Sequence, residues 1–172
     1  MLLISVSAQA SSERTGVLDV QAVFNRSALG KKDQGIMRGY YESRKKILDE
    51  DADEIQNLRE DYGKQMQAKA LNEPAQKAKE ETLKRKINEF EKKRAEFAEE
   101  VSRKTEELQN DFLKQVQIVL QDVAKREKIS LILNKTISLA KTDVPSVMYA
   151  DNELDVTDKV IVEMDKTAPA VN

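Results

Sequence analysis

The hydrophobic positions of the chain form two long series that lie on either side of residues 71–74. In both series the apolar positions are separated by seven residues, a spacing that places them along one stripe of a helix. The charges of the two series are opposite, because residues 49–61 are mainly acidic and residues 84–94 are mainly basic. The pattern predicts an antiparallel helical hairpin in which the numbers of paired residues add up to about 145. The repeated positions are Tyr41, Leu48, Ile55 and Tyr62 before the turn, and Leu83, Phe90 and Phe97 after it.

Residues with helix-terminal preferences mark the ends of these two helices. Asn72 is a favourable N-cap, and Pro74 suits the first turn of a helix because the missing N–H would have no partner there. We therefore expect one helix from about Ala28 to about Ala70 and a second that continues to about Glu127. The apolar stripe of the second helix widens near its end, which predicts burial there by more than the hairpin partner. The residues of this wider stripe are Val116, Ile118, Val119, Leu120 and Val123.

Short segments rich in aliphatic and β-branched residues flank the two helices. Residues 15–20 predict a strand, followed by a brief helix that Asp19 caps. The nearly continuous apolar run at residues 129–134 predicts a strand that is covered on both faces. Residues 146–150 predict a further strand. The two ends of the chain therefore supply the strands of a small sheet.

A final amphipathic helix completes this β body. Its N-terminus is capped by Asp155 or Thr157. The expected fold class is α+β, with a long antiparallel helical hairpin of residues 28–127 inserted into a body formed by residues 11–27 and 128–172. The apolar residues of the final helix are Val160, Ile161 and Met164.

The predicted body is too small to bury a sufficient core. A few short strands and helical turns cannot both stabilise themselves and anchor long helices. We expect several copies to associate through their bodies into an oligomeric β-barrel. The alternative is a monomer whose body is covered by its own helices. The residues expected in the oligomer core are Leu18, Val20, Leu131, Leu133, Val147 and Tyr149.

Composition argues against catalysis. The 172 residues include no cysteine and no histidine, which removes thiol nucleophiles, Cys/His zinc sites and the commonest general base. The five glycines are scattered, so no phosphate-binding loop is present. The 29 basic and 31 acidic residues leave a net charge of −2, a balance that does not attract nucleic acid or an anionic membrane. We expect a protein that is not an enzyme, without cofactor, metal or nucleic-acid partner.

The first ten residues have the pattern of the end of a secretory signal. A short apolar run is followed by Ala8-Gln9-Ala10, a small-x-small cleavage pattern. The positively charged start of a signal is missing, so residues 1–10 are interpreted as a partial signal peptide. A strand or a frayed terminus is the alternative interpretation. No other segment approaches the roughly 20 apolar residues that a membrane-spanning helix needs.

Both ends of the mature chain resemble the Skp/OmpH family. Residues 17–24 (VLDVQAVF) and residues 29–32 (LGKK) resemble the opening of that family. Residues 147–158 (VMYADNELDVTD) resemble its closing signature, and residues 131–134 lie where the family has its second strand. Residues 135–145 form a longer connection than the family pattern has.

The resemblance implies a fold, a function and a location. It implies a periplasmic holdase chaperone that binds unfolded outer-membrane β-barrel proteins without ATP. It also implies a homotrimer with a β-barrel body and three helical hairpins around a cavity. Well-studied members of the family are strongly basic, and lipopolysaccharide binding by some of them is ascribed to lysines and arginines of the hairpin, whereas this chain carries a net charge of −2. Lipopolysaccharide binding is therefore doubtful here.

Two functions compete on the residues alone. A holdase needs weak, distributed contacts, for which apolar residues outside the hairpin stripe are suited. Those residues have a second interpretation, in which they only broaden the stripe. The alternative function is a structural envelope spacer or adaptor whose coiled-coil hairpin docks a partner protein; a parallel rod is opposed by the proline at the turn. The candidate client-binding residues are Met37, Tyr40, Ile47, Leu58 and Met66.

Two glycines near the start of the first long helix also have two interpretations. Gly35 and Gly39 either allow the helix to bend or allow close backbone packing against the body. The sequence favours neither interpretation. Gly63 lies nearer the turn, where it lowers the stability of the helix.

Overall fold

The computed structural model describes residues 14–139 and 142–167; the predicted partial signal peptide lies outside the described residues. The chain divides into two compact units. The hairpin unit is Asp33–Gln109, and the body unit consists of the described residues on either side of it. In chain order the elements are β1 (Arg14–Leu18), α1 (Val20–Arg26), α2 (Ala28–Gln67), α3 (Glu73–Glu127), β2 (Ile129–Asn134), β3 (Thr136–Leu139), β4 (Thr142–Pro145), a single 3-10 turn (Asn152–Leu154) and α4 (Thr157–Thr167).

Side-chain caps begin three of the helices, as predicted. The Asp19 carboxylate accepts a hydrogen bond of 2.8 Å from the backbone N–H three residues later, in α1. Asn72 accepts one of 3.0 Å in the same way at the start of α3. At α4 the two candidates are resolved, because the Asp155 carboxylate accepts a hydrogen bond of 2.9 Å from the N–H of Thr157. Asp155 therefore lies one residue before the N-cap position, and its carboxylate satisfies the N–H of the first residue of the final helix.

The first turn of α2 starts at a tight corner of the body unit. The hydroxyl of the buried Ser27 accepts a hydrogen bond of 3.1 Å from the N–H of Gly30. Asp165 of α4 accepts a hydrogen bond of 2.7 Å from the N–H of Ala28. Gly30 itself has no room for a side chain, because a Cβ atom there would lie 1.9 Å from the carbonyl oxygen of Phe24 in α1. The corner thus depends on a glycine.

The core of the body unit joins both ends of the chain. β1 pairs in parallel with β2, so that Thr15 lies opposite Leu131 and Val17 opposite Leu133. The carbonyl oxygen of Val17 also accepts a hydrogen bond of 2.9 Å from the N–H of Val156, just before α4. The buried core residues are Leu18, Val23, Phe112, Val116, Val119, Val123, Val156, Val160, Ile161 and Met164.

The wide apolar stripe of α3 is confirmed in part. Val116, Val119 and Val123 are buried in the body core, and Leu120 packs against it. Ile118 was expected on the same stripe but is 55% exposed. Two steps along a helix rotate a side chain by about 200°, which places Ile118 away from the face that Val116 buries. This packing also draws the end of α3 into the body unit, whereas the sequence boundary was placed at the end of the helix.

The strand predicted at residues 146–150 is not formed, and the prediction was wrong. Met148 and Tyr149 are 90% and 81% exposed, and this segment makes no ladder with another part of the described chain. The preceding segment pairs instead, since β3 and β4 form an antiparallel hairpin with Ile137 opposite Val144. High β propensity does not make a strand where no backbone partner is available.

β2 was predicted to be covered on both faces, but within this chain it is not. It pairs only with β1 in a sheet of two strands, and Leu131 and Leu133 are 53% and 43% exposed. Among the other predicted oligomer-core residues, Leu18 is buried, Val20 and Val147 are half-buried, and Tyr149 is exposed. The β-barrel is not closed in the single chain, and burial of these residues by other copies stays a prediction.

In the hairpin unit the two helices pair antiparallel, as predicted. Ile55 and Phe90 line one small cavity, and Leu48 and Phe97 line another. The numbers of the paired polar residues add up to 140–144, slightly below the expected value. The acidic stretch of α2 does meet the basic stretch of α3. The cross-helix pairs are Tyr40 with Glu100, Arg44 with Glu100, Asp51 with Lys93, Glu54 with Lys86, Asp61 with Lys79, and Tyr62 with Glu80.

The glycines of the hairpin unit lie in open space. Apart from the adjacent backbone of its own helix, a Cβ atom added at Gly35, Gly39 or Gly63 would meet no atom of the described chain within 4 Å. Close backbone packing within the chain therefore does not account for Gly35 or Gly39. Of the two interpretations of these glycines, the one left is that their low helix propensity makes the helix easier to bend.

Replacing Gly63 with alanine is expected to stabilise the hairpin by about 1 kcal/mol, because alanine has the higher helix propensity and the position is open. Amide hydrogen exchange measures the effect residue by residue. Exchange of the neighbouring amides of α2 should slow by about fivefold, and exchange in the body unit should not change. Faster exchange near Gly63 would contradict the prediction.

Candidate functional site

Two of the predicted client-binding residues lie between the helices of the hairpin. The Tyr40 hydroxyl donates a hydrogen bond of 3.0 Å to the Glu100 carboxylate on α3. The hydroxyl of Thr105 lies 4.0 Å from the sulfur of Met37. Tyr40 and Met37 are both half-buried. In this chain they take part in the pairing of α2 with α3.

The other three predicted residues are more accessible. Ile47 is 38% exposed and Met66 is 40% exposed. Leu58 is half-buried in a shallow depression of α2, beside Glu50, Asp53 and Asp61 among others. Apolar atoms are thus presented at separate points along a charged helix, and the structure does not gather the five predicted residues into one cavity.

An apolar groove that the sequence did not predict lies in the hairpin unit. Its volume is about 420 Å³, and most of its lining surface is apolar. The sequence pattern predicted that three of its residues, Tyr41, Leu48 and Phe97, lie in the stripe between the two helices, whereas Tyr41 is 58% exposed. The signal for the gap is the small side chain of Ala98 next to Phe97, where a larger residue would fill space. The apolar lining residues are Tyr41, Leu48, Phe97, Ala98 and Val101.

One wall of the groove is a fixed arginine. The Arg44 guanidinium lies over the ring of Tyr40, 3.8 Å from the ring centroid, and 5.7 Å from the centroid of Phe97. It also pairs with the Glu100 carboxylate at 3.2 Å. Hydrogen bonds from Arg44, and secondarily from Tyr40, hold the pKa of the Glu100 carboxyl below its usual value. Stacking and ion pairing together fix the position of this side chain.

The remaining charges of the groove are held more loosely. Lys45 pairs with Asp49 one turn along α2, and this hydrogen bond raises the pKa of the lysine. Arg94 pairs with Glu91 at 3.4 Å. The side chains of Lys45 and Arg94 are 58% and 63% exposed, and exposed pairs of this kind contribute little stability. Both cations can therefore exchange their partner for a carboxylate of a ligand.

Acidic pH is expected to loosen the hairpin. The pKa of Glu100 lies below its ordinary 4.5, chiefly because of Arg44, and that of Asp61 lies below its ordinary 3.8, chiefly because of Lys79. A carboxyl whose pKa is lowered by folding stabilises the fold above its ordinary pKa, and this stabilisation is lost as pH falls through the lowered value. The thermal midpoint measured by circular dichroism should stay level from about pH 7 to about pH 5 and fall towards about pH 3.

The matched variant for this pH profile is Glu100→Gln. It keeps an oxygen that can accept from Tyr40, but it cannot titrate. Its midpoint should be lower than that of the parent at neutral pH and should decline less below about pH 5. A parent midpoint that stays level down to about pH 3 would contradict the assignment.

Two features were not found in the part of the chain that the structure describes, a metal-binding cluster and a membrane-spanning helix. No group of three or more acidic, histidine or cysteine side chains among the described residues is arranged to hold a metal ion. Within the same part of the chain, no helix combines the length and the apolar character needed to cross a bilayer.

Comparison with known proteins identifies a family and a solved structure that this chain resembles. The family model of OmpH-like outer membrane proteins matches residues 14–164. An uncharacterized protein of Aquifex aeolicus (strain VF5) is 27% identical over 149 residues, which cover 87% of this chain and 84% of that protein. The crystal structure of a putative outer membrane chaperone (OmpH-like) from Caulobacter crescentus CB15 matches with a TM-score of 0.80 at 16% identity, over 99% of this chain and 95% of that one.

The structural match shows the same fold of long helices with a small strand part. The family is not an enzyme family, in agreement with the prediction from composition. Because the family model covers all the elements from β1 to most of α4, this chain belongs to the OmpH-like family of outer membrane proteins.

Proposed function

We propose that this protein is a periplasmic holdase chaperone, which binds unfolded outer-membrane β-barrel proteins and prevents their aggregation without ATP. The observation that carries the proposal is the distribution of accessible apolar side chains along the charged hairpin. Ile47 and Met66 are 38% and 40% exposed and lie far apart on α2. The family and the description of the Caulobacter crescentus relative as a putative outer membrane chaperone support it.

Separate apolar contacts suit an unfolded client. Each contact stabilises the complex weakly, so the client is held without being fixed in one geometry. Methionine adapts to many partner shapes, which suits Met66 to this role. The charged residues between the apolar points keep the free hairpin soluble. Such a surface covers the exposed strands and apolar patches of unfolded client molecules, which would otherwise associate with one another.

Assembly through the body unit completes the proposed chaperone. Leu131 and Leu133 are exposed on β2, whose outer edge has no partner strand within the described chain. Exposed apolar side chains next to an open strand edge are typical of an association surface. In the proposal three copies join at this surface, and Val147 and Tyr149 contribute to it.

Aggregation of an unfolded β-barrel protein tests the proposal. The client is diluted from urea into buffer without ATP, and light scattering is recorded with and without the chaperone. Scattering should fall as the chaperone is added. The double variant Ile47→Ser with Met66→Ser should suppress aggregation less well, whereas Gln56→Ser with Gln67→Ser, which changes exposed polar residues of the same helix, should act like the parent.

The same assay separates the proposal from the adaptor alternative. An adaptor would bind one folded partner and leave the aggregation of unfolded clients unchanged. Absence of any suppression at a molar excess of the protein would therefore contradict the chaperone function.

A further inference from the structure

The groove described above is an open, unfilled part of the hairpin interface. Its volume of about 420 Å³ lies near the lower end of the range of about 300–1,000 Å³ that is typical of small-ligand pockets. Leu48, Phe97 and Val101 are half-buried and supply its apolar floor, while the exposed Tyr41 stands at its edge. Apolar surface of this kind gains free energy when an apolar side chain excludes water from it.

The charged residues around the groove are mainly positive. Three cations, Arg44, Lys45 and Arg94, line it together with a single carboxylate, Asp49. Arg44 is committed to Glu100, but Lys45 and Arg94 are held only by exposed pairs within their own helices. An apolar floor with two available cations at its rim is complementary to an apolar group that has carboxylates beside it.

We propose that this groove binds an aromatic or branched aliphatic side chain of an extended polypeptide segment in which acidic residues flank that side chain. The apolar side chain contacts Leu48 and Phe97, and the flanking carboxylates pair with Lys45 and Arg94. The inference rests on the proposed chaperone function and specifies the class of client segment that the hairpin prefers.

Labelled peptides test the inference on the full-length protein. The probe is a fluorescein-labelled peptide of serine and glycine that carries one phenylalanine between two aspartates, and fluorescence anisotropy gives its Kd. Two matched peptides replace the phenylalanine with serine or both aspartates with lysines. The Phe–Asp peptide should bind about tenfold more tightly than either matched peptide, because each matched peptide loses either the apolar contact or the two ion pairs; a tenfold change in Kd corresponds to about 1.4 kcal/mol.

Variants with matched controls locate the binding. Lys45→Gln with Arg94→Gln should raise the Kd of the Phe–Asp peptide by about fivefold. Lys46→Gln with Lys92→Gln removes two cations of similar exposed pairs outside the groove and should leave the Kd within about twofold.

The apolar part of the groove has its own pair of variants. Tyr41→Ser should raise the Kd by about fivefold, because it removes an apolar wall of the groove. Ile36→Ser removes another exposed apolar residue of α2, which lies outside the groove, and should have an effect within about twofold. Circular dichroism confirms that each variant retains the helix content of the parent.

Several results would overturn the inference. One is equal affinity for the three peptides, and another is peptide binding that the groove variants leave unchanged. A third is binding of anionic phospholipid vesicles through Lys45 and Arg94 without binding of the peptide, which would show that the groove takes a lipid. A fourth is a change of the mass in solution on Tyr41→Ser, which would show that the groove contacts a second copy of the chain. If the parent suppresses client aggregation in any of these cases, the chaperone function stands and only the groove assignment fails; if it does not suppress aggregation, the function itself fails.

Discussion

Replacing Gly30 with alanine is expected to destabilise the body unit by about 3 kcal/mol. The new Cβ atom would lie 1.9 Å from the carbonyl oxygen of Phe24, a separation that real Cβ contacts do not show. The neighbour is backbone, so a rotamer change cannot relieve the clash. α1 and α2 must move apart, which breaks the hydrogen bond from the Gly30 N–H to Ser27 and displaces the fully buried Val23. Urea unfolding followed by circular dichroism measures the loss.

Gly35→Ala is the matched control for this prediction. Five residues later in α2, the same substitution meets no atom within 4 Å apart from the adjacent backbone of the helix itself. It should leave the midpoint unchanged or raise it, with a gain of at most about 1 kcal/mol from helix propensity. Equal midpoints for Gly30→Ala and the parent would show that the corner between α1 and α2 adjusts without cost and would contradict the prediction.

Aspartates at both Leu131 and Leu133 are expected to convert the proposed trimer into monomers. In the single chain these side chains are 53% and 43% exposed, so the new carboxylates would remain in water in the separated chains. In an interface between copies the new carboxylates would be unpaired and desolvated, and each buried carboxylate would destabilise the trimer by several kcal/mol. Light scattering after size exclusion gives the mass, and circular dichroism reports on the helices.

Ser130→Asp is the control for this second prediction. It introduces one carboxylate into β2 at an exposed polar position, so the mass should remain that of the parent. A double variant with the mass of the parent would show that β2 does not form the interface. A parent that is itself monomeric would contradict the trimer.

The helices were predictable because their signals are local. Asn72 and Asp19 cap helices through hydrogen bonds to amides three residues away, and such a contact can be read from a short window of sequence. The antiparallel pairing was also accessible, because a tight turn makes residues on both sides of it neighbours in reverse order. Lys86 thus meets Glu54 across the hairpin, close to the expected register.

The strands were less predictable because each needs a partner from elsewhere in the chain. Residues 146–150 have high β propensity but no ladder, whereas residues 136–139 pair with residues 142–145. The alternation of polar and apolar residues in Thr136-Ile-Ser-Leu is a signal that could have indicated this hairpin. The role of Gly30 was also missed, because it depends on the approach of Phe24 in three dimensions.

The groove was also not predictable from the sequence, because it depends on how side chains pack in three dimensions. The seven-residue spacing identified Leu48 and Phe97 as interface residues, and both do line the space between α2 and α3. Whether an interface closes depends on the sizes of all the side chains that meet there. Spacing alone therefore predicts the contact, but it does not predict a gap beside Ala98.

The pairing of β1 with β2 has a consequence for the order of folding. During synthesis the residues of β1 emerge first, but their partner strand at residues 129–134 follows only after both long helices. The hairpin contacts connect residues closer in sequence, so they can form while β1 is still unpaired. Its apolar segment remains exposed until the far end of the chain arrives. We therefore expect the body unit to fold last, and a chain truncated before β2 to be helical but prone to aggregate.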